Sequence, residues 1–241
     1  MVNNVNVNNV NNVNVNNVNV YYMSTFIGIC GGSSSGKTTI SNYLYNYMKD
    51  STKISLDNYT YVKNNGTFKT REEYIKNTNF DCPEAYNIDL LLYHLKELRA
   101  GREIQMPIYD FKTSTYSGFK IVRPKNIVLI DGILLFSKLE ILKQLDLCIF
   151  IECDDDVRNK RRVARDTVER GASSDVVAHQ LNTTVNPMFY KYVFPNRHYA
   201  DIVFNNTQSS GNYNLHKKLF DLYKKVIEHI ESEHSDVFDT V

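Results

Sequence analysis

Thr25-Phe26-Ile27-Gly28-Ile29-Cys30-Gly31-Gly32-Ser33-Ser34-Ser35-Gly36-Lys37-Thr38-Thr39 is the stretch on which the reading of this chain turns. The apolar run Phe26 to Cys30 has the length and residue types of a buried strand, and a glycine- and serine-rich turn follows it. A helix is expected from Lys37. Residues 31–38 fit GxxxxGK[ST] in the strand-turn-helix setting that this phosphate-cradling motif requires. Glycines let the backbone curl so that successive amides point at an anion, and the helix adds its positive N-terminal end. Gly31, Gly32, Ser33, Ser34, Ser35, Gly36, Lys37, Thr38 and Thr39 are therefore candidate ATP-binding residues. Lys37 is expected to neutralise β/γ-phosphate charge, and the Thr38 hydroxyl to coordinate Mg2+.

Outward from this loop, apolar runs at 52–56, 126–130, 146–151 and 200–204 alternate with helical stretches near 88–100, 137–144, 155–170, 174–194 and 213–232. That rhythm predicts an α/β fold, a doubly wound, mostly parallel sheet with helices on both faces. The stretch 102–123 breaks it with Pro107, several aromatics and β-formers, and reads as a small β-hairpin insertion over the sheet's carboxyl edge. The 25–232 segment is expected to be one domain. Residues 2–20 contain only Val and Asn, with no large side chain to offset the entropy of ordering, so 1–24 is expected to be a disordered low-complexity tail. Its mixture of Val and Asn also suits templated β-aggregation, with a biased translated repeat of no function as the favoured alternative. Residues 233–241 read as a flexible acidic tail.

Composition narrows the function classes. Over 241 residues, 28 Lys and Arg nearly cancel 27 Asp and Glu, so no global field draws the protein to nucleic acid or to a membrane surface. The four cysteines, Cys30, Cys82, Cys148 and Cys153, form no CxxC pair and read as reduced thiols of a soluble, cytoplasmic protein. Neither a membrane span nor a signal peptide is expected.

Two acids complete the phosphate chemistry. Ile127-Val128-Leu129-Ile130-Asp131-Gly132 is an apolar strand ending in a carboxylate, and Asp131 is the candidate second metal ligand, for Mg2+ or its water. Asp57 ends the strand 51–56, where a doubly wound sheet opens its ligand crevice. A kinase acting on an alcohol needs a carboxylate to orient the hydroxyl and take its proton, and Asp57 is the candidate base; its competing local reading is an Asx turn into Asn58. Arg158, Arg162 and Arg165 recur at i, i+4 and i+7 and share one helix face, while Arg161 points elsewhere. With Arg170 they suit a lid over 155–175 that spreads phosphoryl charge and excludes water, against the alternative of a solvated basic face.

Beyond the loop, Asn79-Phe80-Asp81-Cys82-Pro83-Glu84-Ala85, Pro107-Ile108-Tyr109-Asp110-Phe111, Asp131-Gly132-Ile133-Leu134, Arg161-Arg162-Val163-Ala164-Arg165-Asp166, Glu169-Arg170-Gly171 and Tyr199-Ala200-Asp201-Ile202-Val203 resemble the uridine/cytidine kinase family. The resemblance runs in order from about Phe26 to Asn205. It implies phosphorylation of a pyrimidine ribonucleoside at the 5′-hydroxyl, in pyrimidine salvage, with ATP or GTP as donor. It also implies Asp57 as the catalytic carboxylate, with Lys37, Arg165 and Arg170 on the phosphates. Asp81 and Arg162 would hold the ribose hydroxyls, Gln180 would touch the nucleoside, and Phe80, Tyr109 and Phe111 would form the base pocket. A homotetramer is implied as well. The chain departs from the family's pattern at Thr60, where a tyrosine is usual. Ser114 and Tyr116 stand in place of a base-reading histidine and arginine, Ala172 in place of an arginine, and Asp131 in place of the commoner glutamate. Ser114 can still make one hydrogen bond to the base, at shorter reach than imidazole. Kinases of another small alcohol, such as nicotinamide riboside or a sugar phosphate, share the loop and general plan. A nucleotide-binding relative without turnover stays open through Ser114, Tyr116 and Ala172.

Overall fold

The computed structural model describes residues 11–15, 18–22, 24–62, 67–207 and 212–235. In chain order the elements begin with β1 (Asn11–Val15), β2 (Val18–Tyr22), β3 (Thr25–Gly31), α1 (Lys37–Tyr47) and β4 (Ser51–Ser55). There follow α2 (Arg71–Asn77), α3 (Ile88–Arg99), β5 (Ile104–Asp110), β6 (Thr115–Val122), β7 (Ile127–Asp131), α4 (Leu139–Leu142) and β8 (Leu147–Glu152). The last are α5 (Asp155–Val168), α6 (Ser174–Gln180), α7 (Asn186–Met188), β9 (Ile202–Asn205) and α8 (Asn212–Ser235). π-type turns at Leu181–Val185 and Phe189–Val193 flank α7.

Five parallel strands form the central sheet in the order β4-β7-β3-β8-β9. All seven residues of β3 are buried, because both sheet faces are covered and each strand feeds two cores. Phe26 and Cys30 of β3, Val128 and Ile130 of β7, and Cys148 and Phe150 of β8 point to one face, where Leu91, Leu95 and Leu98 of α3 close over them. Ile27 and Ile29, Leu129, and Leu147, Ile149 and Ile151 point to the other, under Ile40 and Leu44 of α1 and Leu219, Leu222 and Val226 of α8. Each fully buried Leu or Ile contributes roughly 1.5–3 kcal/mol over its exposed state.

The insertion at 102–123 is the antiparallel pair β5–β6, with a register shift at Ile108/Tyr109. Where a disordered tail is expected before Thr25, the backbone of β1 and β2 forms an antiparallel ladder of its own, outside the central sheet. Val13-Asn14-Val15 and Val18-Asn19-Val20 alternate with the period of a strand, and local backbone pairing needs no large side chain. Residues 1–10, 16, 17 and 23 of that tract lie outside the described residues, as do 236–241 of the expected acidic tail; α8 runs to Ser235. The helix α2 has no counterpart in the sequence reading. Its signals are local and short: Thr70 caps it by accepting from the Glu73 amide, and Glu72 and Glu73 sit in its first turn.

Candidate active site

The carboxyl ends of β3, β4 and β7 open into a cleft of about 940 Å³. At its floor Gly36 takes φ 101°, a left-handed conformation that glycine adopts without strain, and turns the chain into α1, whose first turn carries no acidic side chain. The Asn206 side chain donates to the Ser35 carbonyl at 2.7 Å and braces the loop from behind. Lys37 folds back, its Nζ donating to the Gly32 carbonyl at 2.8 Å. Burial lowers its pKa to about 8, against the pull of Cys30, Asp57 and Asp131.

Of the candidate phosphate residues, Ser33, Ser34, Gly36, Lys37, Thr38 and Thr39 line the cleft. Gly31, Gly32 and Ser35 do not. Gly31 is the last residue of β3, and Ser35 is fully buried within the turn. Asp57 lies in a 3-10 turn, Leu56–Tyr59, immediately after β4, and lines the cleft with Lys37 and Asp131. Asp131 ends β7 one strand away; its Oδ1 accepts from the Ser55 hydroxyl at 2.9 Å. Its Oδ2 is buried and has no hydrogen-bond partner. Burial pushes the Asp131 carboxyl up, and the nearby charge of Asp57 adds to the shift. An orphaned buried carboxylate oxygen and the hydroxyl of Thr38, lining the same cleft, are hard oxygen donors of the kind a divalent cation takes, so the residues present fit Mg2+.

The helix α5 carries the arginines. Arg162 donates to Ser33 Oγ at 2.7 Å and to Gln180 Oε1 at 3.2 Å, tying α5 to the phosphate loop and to α6. Gln180 in turn donates to the Ile75 carbonyl at 2.6 Å. Asp166 pairs with Arg162 at 3.3 Å, Arg165 at 2.8 Å and Arg170 at 3.4 Å. Burial works against its charge, but the three guanidinium groups win and hold the carboxyl below its ordinary value. The expected sorting of the helix face is corrected in two places. Arg158 does not line the cleft: it is 1% exposed, stacks over Phe189 at 3.9 Å and lies beneath Gly32. Arg161, expected to point away, is part of the cleft wall and donates to the Asn206 carbonyl at 3.2 Å.

At the other end the cleft is aromatic. Phe80, Asp81, Tyr109, Phe111, Ser114, Arg162 and Gln180 all line it, together with Arg165 and Arg170. Tyr109 packs edge-on against Phe111 at 5.2 Å, and the Arg170 guanidinium lies over the Phe111 ring at 3.6 Å. Burial raises the Asp81 pKa, which Arg162 opposes and Asp57 and Asp166 reinforce. Of the departures from the family pattern, Thr60 is buried and donates to the Asp57 carbonyl at 2.8 Å, fixing the turn that carries the acid. Tyr116 donates to the Thr60 carbonyl at 2.7 Å. Sequence reasoning missed Arg71, Tyr86 and Ser55, which also line the cleft. Each comes from a segment with no motif of its own, and only the fold brings them in.

A loop for a triphosphate, two acids near its lysine, and an aromatic compartment lined with arginines are the parts of a small-molecule phosphotransferase. The sequence model of the Phosphoribulokinase / Uridine kinase family matches residues 26–211. The chain belongs to that family. It is 40% identical over 178 residues to the uridine kinase of Clostridium novyi, covering 73% of this chain and 85% of the relative. Over 189 residues it is 37% identical to the uridine kinase of Brevibacillus brevis, covering 78% and 86%. Among solved structures, D-glycerate 3-kinase from Cryptococcus neoformans var. grubii superposes with a TM-score of 0.54 at 15% identity, covering 78% of this chain and 88% of that one. That likeness speaks for the shared kinase fold. Among the described residues no helix is long and apolar enough to cross a membrane.

Proposed function

We propose that this chain transfers the γ-phosphoryl group of ATP, or GTP, to the 5′-hydroxyl of uridine or cytidine, yielding the nucleoside diphosphate and UMP or CMP. The observation that carries the reading is the single cleft shared by Lys37, Asp57 and Asp131 at one end and Asp81, Tyr109 and Phe111 at the other. Relatives named uridine kinase at 37–40% identity over most of the chain point the same way.

In this reading the triphosphate lies on the 33–39 turn, with Lys37 on its β/γ-oxygens. Thr38 and Asp131 would hold Mg2+, which would supply positive charge against those oxygens. Asp81, Arg162 and Gln180 orient the ribose, and the base enters among Phe80, Tyr109 and Phe111. Asp57 accepts the proton as the 5′-oxygen bonds to the γ-phosphorus and the bond to the β,γ-bridging oxygen breaks. Arg165 and Arg170 spread the equatorial charge, and the 155–175 segment excludes water. The partners are thus a nucleoside and a nucleoside triphosphate, not nucleic acid or membrane. The family resemblance adds a homo-oligomer, a tetramer, in the cytoplasm. Incubating the protein with γ-labelled ATP, Mg2+ and a panel of ribonucleosides is expected to give labelled UMP or CMP. Label in no nucleoside monophosphate sinks the proposal.

A pH effect follows from Lys37. Its pKa, about 8, is below the ordinary lysine value of 10.5. Between these two values the unfolded chain holds a proton that the folded one lacks, so this group makes stability rise with pH across that window. Over the same window a bound triphosphate favours the charged lysine. ATP binding above pH 8 is therefore expected to take up a proton and to weaken as the pH climbs. Calorimetric titrations in two buffers of different ionisation enthalpy measure the uptake, and a heat independent of buffer contradicts it.

A further inference from the structure

Arg71, the first residue of α2, crosses from its own helix into the aromatic end of the cleft. Its Nη2 donates to the Phe111 carbonyl at 2.6 Å and to the Arg170 carbonyl at 3.1 Å, and its Nε donates to Ser114 Oγ at 3.3 Å. These three bonds fix the plane of the guanidinium against the hairpin turn and the far end of α5. Among the described residues its Nη1 donates to no acceptor. Ser114 itself is buried, in a left-handed conformation with φ 58°, and is held by its amide bond to the Asp110 carbonyl at 2.7 Å.

The polar groups at this end therefore differ in what they can select. The hydroxyls of Ser114 and Tyr109 can each donate or accept, so they serve a 4-oxo and a 4-amino group alike, and Ser114 already accepts from Arg71. A guanidinium only donates. On the proposed binding mode the ribose is held towards Asp81 and Arg162, so a pyrimidine enters with its glycosidic nitrogen facing them. The 4-position, directly across the ring from that nitrogen, is then presented to the hairpin turn where Arg71 stands.

We propose that Arg71 is a specificity-determining residue that donates from Nη1 to the 4-oxo group of uracil, and that the enzyme consequently prefers uridine to cytidine. The 4-amino group of cytosine offers a donor to a donor and leaves both without a partner, which costs far more than a change in apolar fit. This inference rests on the nucleoside kinase reading above.

Steady-state kinetics with uridine, cytidine and pyrimidin-2-one riboside, which lacks any 4-substituent, test it on the intact protein. Uridine is expected to have the highest kcat/KM, by at least about tenfold over both others. In Arg71→Met the uridine-to-cytidine ratio is expected to collapse towards one, chiefly through loss on uridine. A purely structural role for the three bonds to Ser114, Phe111 and Arg170 lowers kcat/KM for both nucleosides together and leaves the ratio unchanged, which overturns the proposal. So does a wild-type protein that uses cytidine or the 4-unsubstituted riboside as well as uridine, a result that needs no variant to fold. A wild-type protein that phosphorylates no pyrimidine nucleoside overturns the kinase reading itself and takes this inference with it.

Discussion

Asp57→Asn is expected to lower kcat for nucleoside phosphorylation by about 10²- to 10⁴-fold, the usual worth of a positioned general base, while ATP binding changes little. The asparagine keeps the size and one oxygen of the side chain, so the hydroxyl is still crowded towards the phosphorus but its proton has no acceptor. Asp57 also stands near Lys37, Asp81 and Asp131, each of which feels its charge. Removing it relieves like-charge repulsion on the two acids, so the variant is expected to be no less stable than the wild type. Single-turnover kinetics at saturating ATP, with a separate ATP titration, distinguish the two effects. A variant that turns over within about threefold of the wild type removes Asp57 from the chemistry; one that no longer binds ATP shows that the acid supports the loop instead.

Asp166→Ala carries the largest expected loss of stability. Asp166 is 3% exposed and is the shared counter-charge of Arg162, Arg165 and Arg170. Deleting one partner of a buried ion pair costs about 3–5 kcal/mol, because the remaining charge stays desolvated without compensation; here three guanidinium groups are left to repel one another. The wild-type contribution is present at neutral pH. Since the folded pKa lies below the ordinary carboxylate value, it is lost only as the pH falls through that lowered value, and the acid limb of the stability curve is expected to flatten in the variant. Urea denaturation measures the loss. Inorganic phosphate or ATP is expected to restore part of it by mass action, an anion taking the place of the missing carboxylate. A destabilisation below about 1 kcal/mol, or none that anions relieve, rules out Asp166 as the electrostatic anchor of the lid.

The parts of this protein that a local pattern specifies were legible in the chain. A strand buried on both faces must be apolar throughout, so β3, β7 and β8 announce themselves as runs of Ile, Val, Leu and Phe, and the turn between β3 and α1 admits few residue types because amides must point inward there. The acids Asp57 and Asp131 were legible for the same reason, since the carboxyl end of a parallel strand is where a ligand crevice opens. Helical spacing, by contrast, sorted the arginines of α5 only in part. Periodicity tells which residues share a face, but not what lies opposite each end of that face, and so Arg158 went beneath the loop while Arg161 entered the cleft wall. Arg71, Tyr86 and Ser55 gave no sign at all, as their partners are distant in sequence: Arg71 meets Ser114 and Arg170, and Ser55 meets Asp131. The sequence by itself determined the sheet, the phosphate cradle and its acids, because burial and backbone curvature restrict which residues can stand at those positions. Only the tertiary structure decided which charges share Asp166 and that Arg71 reaches Ser114 in the cleft, because those depend on distances between elements that no local spacing encodes.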